Sequence, residues 1–140
     1  MLKSINPLLT GELLTILSDM GHGDEIVIVD ANFPADAVAQ RLVRLPGISA
    51  TDTLDAVLSV LPLDDFVDLP AAVMDAPGDR PAIYPEFETQ LEKAEGRAIS
   101  LDPIDRFAFY DRAKEAYAVI ATGERRLYAN ITLKKGVLRV

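Results

Sequence analysis

Read for the spacing of apolar and polar positions, the chain alternates between helical and extended patterns. Leu9, Leu13, Leu17 and Met20 recur at helical spacing, widened by Leu14 and Ile16, so a helix is expected over roughly Leu8 to Met20. Gly21 follows where a left-handed residue often ends a helix. Glu25-Ile26-Val27-Ile28-Val29-Asp30 is a β-branched apolar run and reads as a strand buried on both faces. Arg41 to Leu45 is a weaker strand pattern, ended by Pro46-Gly47. Asp52 fits the cap of a helix reaching about Leu61, with Leu54, Val57, Leu58 and Leu61 as its stripe. Ala71 to Met74 reads as a strand and Tyr84 to Ala94 as a helix. Pro103 suits a first helical turn, giving a helix to about Lys114. Tyr117 to Ala121 and Tyr128 to Leu133 complete the set as strands.

Strands alternating with helices predict a single three-layer α/β/α domain over residues 1–140, with a mixed, mostly parallel sheet of about five to six strands. The most linker-like stretch, Asp75-Ala76-Pro77-Gly78-Asp79-Arg80-Pro81, is short and reads as an exposed loop within that domain. Ligands of such sheets tend to sit off the carboxyl ends of strands, and Asp30 lies at one.

Composition narrows the chemistry. The 140 residues include no cysteine and one histidine, so disulfides, thiol nucleophiles, thiolate zinc sites and multi-histidine metal sites within one chain are excluded. The net charge of −8, with 22 acidic residues, argues against nucleic acid and anionic membrane surfaces as partners. No apolar run reaches the roughly 18 residues of a membrane span. The opening Met1-Leu2-Lys3-Ser4-Ile5-Asn6-Pro7 lacks the apolar stretch of a signal peptide, so the expected location is cytoplasmic.

Four places could carry chemistry. In Gly21-His22-Gly23-Asp24, the histidine sits on bare backbone that a ligand can approach, and imidazole exchanges protons near neutrality. A surface-loop histidine has the same local pattern. Asp30 can accept two hydrogen bonds from vicinal hydroxyls, or simply cap a turn. Arg106 offers a fork of donors to hydroxyl oxygens, or a solvated charge on a helix whose Phe107, Phe109 and Tyr110 belong to core. Tyr128 and Asn130 have the same strand parity and so are expected on one sheet face, as a reader of a sugar edge or as ordinary turn chemistry. No Walker loop, dinucleotide-binding glycine fingerprint or nucleophile elbow is present. The acid-rich Leu63-Asp64-Asp65-Phe66-Val67-Asp68 reads as a loop.

Longer blocks carry a resemblance. Leu2 to Leu9, Gly11-Glu12-Leu13-Leu14, Met20 to Ile26, Asp30-Ala31-Asn32-Phe33-Pro34 and Arg106 to Ala113 resemble the fucose mutarotases. Thr122-Gly123-Glu124 with Tyr128-Ala129-Asn130 is similar to both fucose mutarotases and ribose pyranases. The resemblance spans nearly the whole chain, with Ala35 to Ala98 contributing no matched motif. It implies an isomerase that exchanges the anomers of a free monosaccharide, most simply L-fucose, with no cofactor and no metal. It implies His22 as the catalytic group and Asp30, Arg106, Tyr128 and Asn130 as substrate-binding residues. Arg106 stands where ribose pyranases carry a second histidine, which favours the fucose branch. It also implies a homo-oligomeric ring, a pentamer or decamer, with the site near a subunit boundary. The alternatives are a D-ribose pyranase, a non-catalytic sugar-binding accessory of a transport system and a ring-forming structural protein.

Overall fold

A computed structural model describes residues 1–140. The elements run α1 (Gly11–Asp19), β1 (Glu25–Val29), α2 (Ala35–Val38), β2 (Leu42–Leu45), α3 (Ala50–Leu58), β3 (Ala71–Met74), α4 (Ile83–Glu95), β4 (Asp102–Ile104), α5 (Arg106–Glu115), β5 (Ala118–Thr122) and β6 (Ile131–Lys134). The six strands form one sheet in the order β2-β5-β1-β6-β3-β4. β1 pairs parallel with β5, β5 with β2, and β3 with β4, whereas β6 runs antiparallel to both β1 and β3. The mixed, mostly parallel sheet expected from the alternating pattern is therefore present, with β6 as its single reversed strand.

Alternation along the strands makes the two helical layers. Ile26 and Ile28 of β1 face a core shared with α1, α3 and α4. Val27 and Val29 face the opposite way, onto Ala35 of α2 and Phe109 and Ala113 of α5. β1 lies in the middle of the sheet and all four of these residues have no exposed surface, as a continuous β-branched run requires. No helix is long and apolar enough to cross a membrane.

Several local expectations need correction. α1 begins later than Leu8, because the Thr10 hydroxyl caps it by accepting from Leu13 N at 3.2 Å. It ends on Met20 in an extended conformation, and the positive φ of 87° belongs to Gly23 rather than Gly21. α3 is capped by Ser49, whose hydroxyl accepts from Asp52 N at 3.0 Å. Asp52 instead sits in the first turn, where its charge suits the helix dipole. Pro103 lies in β4, not in a helix. β4 is an edge strand, the place in a sheet where a residue without an N–H is tolerated. Asp105 then caps α5, accepting from Phe107 N at 3.0 Å and Ala108 N at 3.3 Å. The last strand starts at Ile131, so Tyr128 and Asn130 precede it and the parity argument fails. Tyr128 has a φ of 62°, which no strand residue adopts.

Candidate functional site

The sheet's direction decides which residues meet. β1 ends at Val29 and delivers Asp30 to its carboxyl edge. β6 runs the other way, so the residues before it start from that same edge, with Ile28 paired to Ile131. The turn at Tyr128, closed by Asn130 N donating to Tyr128 O at 2.8 Å, sets Asn130 directly against Asp30. β4 ends at the same edge and hands the chain to α5 with Arg106 as its first residue.

Asp30, Arg106, Tyr128 and Asn130 thus line one cavity of about 230 Å³, together with Asn32, Phe33, Met74, Tyr110 and Leu127. Asp30 and Asn130 are buried in its floor. Asn130 grips Asp30 twice: its Oδ1 accepts from Asp30 N at 2.8 Å, and its Nδ2 donates to Asp30 Oδ2 at 3.2 Å. Asn32 N donates to Asp30 Oδ1 at 2.9 Å. Burial pushes the Asp30 carboxyl above its ordinary range, and the hydrogen bonds from Asn32 and Asn130 only partly offset this. Arg106 is exposed at the rim, where its Nε donates to the Tyr110 hydroxyl at 3.1 Å. Phe33 packs against Tyr110 at a centroid distance of 5.4 Å and gives the cavity an apolar side. Phe109, by contrast, is entirely buried and belongs to the core.

Behind this cavity, the Glu124 carboxylate ties the site loop to the rest of the fold. Its oxygens accept from Arg126 N and Nε at 3.0 Å and from Ala50 N, at the start of α3, at 3.3 Å. Its main-chain oxygen accepts from Ala31 N at 2.8 Å. Hydrogen bonding to Arg126 outweighs burial and holds the Glu124 carboxyl down at about 2.

His22 is not in this cavity. It lies before β1, at the opposite edge of the sheet, with its side chain 44% exposed. The five residue steps from Glu25 to Asp30, at roughly 3.3 Å each, separate the two ends by about 17 Å. His22 Nε2 meets Asp64 Oδ1 at 3.0 Å. Asp64 is buried and sits beside the last strand's exit, with Asp64 N donating to Lys134 O at 3.0 Å and Gly136 N to Pro62 O at 2.8 Å. Only glycine fits at position 136, because a Cβ there would lie 2.4 Å from Leu63 O. Burial alone pushes the Asp64 carboxyl up, but the Phe66 N–H and the His22 imidazole together hold it below the ordinary range. A carboxylate can only accept, so Nε2 is the donor in this pair, and Nδ1 is the ring nitrogen not engaged by Asp64.

Sequence reasoning therefore named four residues that converge and one that stands apart. It missed Asp64 and Glu124 as structural partners. The only signal for Asp64 was an acid-rich loop with three candidates, and for Glu124 its place in the Thr122-Gly123-Glu124 block. Asn32 and Phe33 lay within quoted motifs without being singled out as site residues, and of the Phe107 to Tyr110 run, expected as core or as an apolar wall for the sugar, Tyr110 lines the cavity. Met74 and Leu127 carried no signal of their own.

Fold and cavity define a three-layer α/β protein with a small polar ligand site at the carboxyl edge of its sheet. Residues 3–138 match the RbsD / FucU transport protein family, and the chain belongs to that family. The fucose mutarotase of Homo sapiens is 47% identical over 146 residues, covering 98% of this chain and 94% of that protein. The fucose mutarotase of Streptococcus pneumoniae, solved in complex with L-fucose, is 41% identical with a TM-score of 0.93, covering 99% of this chain and 100% of that one. RbsD of Bacillus subtilis, solved with D-ribose, stands further off at 30% identity and a TM-score of 0.73, covering 99% of this chain and 100% of that one.

Proposed function

We propose that this protein is a cofactor-independent isomerase that interconverts the anomers of L-fucose. The observation that carries the reading is the buried Asp30 carboxylate, fixed by Asn130 in a cavity with Arg106 and Tyr128. It is supported by chain-long likeness to fucose mutarotases that exceeds the likeness to RbsD.

Mutarotation opens a cyclic hemiacetal and closes it on the other face. The proton on O1 leaves, the C1–O5 bond breaks, and O5 takes up a proton, giving the open-chain aldehyde. Rotation about C1–C2 and reversal of these steps give the other anomer. No electron and no group is transferred, so no cofactor is required. His22 Nδ1, free because Asp64 holds Nε2, is the proton-transfer atom, contributing on the order of 10²–10⁴-fold. Asp30 accepts from sugar hydroxyls, Arg106 donates to hydroxyl oxygens, and Tyr128 is a hydroxyl contact and second acid. Asn130 serves chiefly by orienting Asp30, with one amide N–H left for the sugar.

We infer that one copy's His22 completes the cavity of another, a reading supported by the separation of His22 from Asp30 within one chain. A head-to-tail contact of this kind joins two different faces of the chain and forms a ring where its rotation closes; we infer five or ten copies. Exposed apolar residues flank the cavity, Phe107 on α5 and Leu127 in its lining. We place the enzyme in the cytoplasm, where free monosaccharide is consumed.

A non-catalytic sugar carrier needs the Asp30 cavity but leaves the Asp64–His22 pair without a purpose. Saturation-transfer NMR on L-fucose and D-ribose decides between the readings. Anomeric exchange should be faster on L-fucose. Exchange on ribose alone would establish the pyranase, and none on either sugar would establish the carrier.

A further inference from the structure

Phe66 is left unexplained by the reaction as drawn so far. The residue is 65% exposed, and its main chain is tied to the His22 partner. Its N–H donates to Asp64 Oδ1 at 3.1 Å, the same oxygen that meets His22 Nε2 at 3.0 Å. One buried carboxylate oxygen therefore fixes both residues. The phenyl ring lies 5.1 Å from the imidazole, centroid to centroid, tilted by 48°. On its flank, the Arg139 guanidinium sits 5.1 Å from the ring centroid and is paired with Asp65. A single exposed apolar residue is ordinary. A phenyl ring set against the one imidazole of the chain, with an arginine on its flank, is a more specific arrangement.

The chemistry of the sugar says what such a ring would meet. The proton-transfer group must stand beside O1 and O5. O5 has two carbon neighbours: C1, which reacts, and C5, which does not. C5 carries a methyl in a 6-deoxyhexose, a hydroxymethyl in the parent hexose, and only hydrogen in a pentopyranose. A side chain in contact with the imidazole therefore meets C5 and its substituent, while the cavity of the neighbouring copy holds the hydroxyls of the remaining carbons. A phenyl ring gains from burying a methyl, and it offers no partner to a hydroxyl stripped of water.

We propose that Phe66 is a specificity-determining residue that reads the substituent on C5 and favours methyl over hydroxymethyl or hydrogen. The assignment rests on His22 as the proton-transfer residue. The test compares kcat/KM for anomeric exchange on L-fucose, on L-galactose, which has a hydroxymethyl in place of the methyl, and on D-arabinose, which lacks that carbon. Wild type should prefer L-fucose to D-arabinose by about ten-fold or more, the discrimination one methyl supports. Phe66→Ala should bring the ratio near one, and Phe66→Tyr should keep it, both with unchanged mass by light scattering. A ratio that survives Phe66→Ala overturns the proposal. So does a variant that loses its assembled mass or all three activities together, since that marks an interface or folding residue. Full exchange in His22→Ala would instead refute the underlying assignment, a result distinct from a preserved ratio.

Discussion

At the carboxyl edge of the sheet, Asp30 is buried, doubly held by Asn130, and surrounded by groups fixed by main-chain geometry. At the opposite edge, His22 is nearly half exposed and rests on one buried carboxylate, Asp64. Both edges lie at the ends of the same strand, β1, and of its antiparallel neighbour β6, which is preceded by Asn130, the partner of Asp30, and ends on Lys134, whose carbonyl accepts from Asp64 N. The difference is one of completeness. The Asp30 edge gathers Asp30, Arg106, Tyr128 and Asn130 into one cavity. The His22 edge presents an imidazole that is outside this cavity and flanked by Phe66. A strand of five residues thus separates the two ends, and the proposed mechanism assigns binding to one, chemistry to the other and their meeting to association of copies.

The largest expected effect falls on the outward edge. His22→Ala should lower anomeric exchange on L-fucose by on the order of 10²–10⁴-fold while leaving the fold and KM nearly intact. Near-full exchange in that variant would remove the distinction between the two edges. Asp64→Asn should reduce kcat by roughly ten-fold, since Asn keeps an acceptor but loses the charge that fixes the imidazole. Saturation-transfer rates at fixed protein concentration measure both.

The binding edge should respond to pH. The Asp30 carboxyl is raised by burial, so it takes up its proton at higher pH than a solvated carboxyl does. The charged form accepts sugar hydroxyls, and it is lost as pH falls through that raised value. KM for L-fucose should therefore climb on acidification earlier than the ordinary carboxylate range. Asp30→Asn should show a high KM with no acid limb. A wild-type KM that stays level through mild acid contradicts this.

How far these residues were legible in the sequence follows from the range of the forces involved. The β1 run, the Ala71–Met74 strand and the helix over Ile83–Glu95 were plain because local apolar periodicity decides them. Pro103 misled, because its fixed φ suits both a first helical turn and an edge strand, and only the pairing with β3 selects the second. α2, at four residues, is too short to show a period. The four residues named together line one cavity, although Tyr128 and Asn130 reach it through a left-handed turn rather than strand parity. His22 and Asp64 are 42 residues apart, and no local pattern shows which of three acids in that loop will meet the imidazole.

The smallest expected effect is on stability, behind the binding edge. Glu124 has its pKa held at about 2 by Arg126, below the ordinary 4.5. A depressed carboxyl stabilises the fold above its unfolded pKa, and that contribution is lost as pH falls through the folded value. Glu124→Gln should lower stability at neutral pH by about 1–3 kcal/mol. The gap from wild type should close between about pH 4.5 and pH 2. Urea titrations across pH check it, and an equal gap at all pH values would assign the effect to shape rather than charge.

The central claim is that one copy supplies His22 and another supplies Asp30. The direct measurement mixes two inactive variants, His22→Ala and Asp30→Ala, by refolding them together in equal amounts. If the site spans two copies, random assembly gives about a quarter of the sites both intact residues, and L-fucose exchange should return to roughly a quarter of wild type. A mixture no more active than the two variants alone would place both residues within a single chain's site and contradict the account.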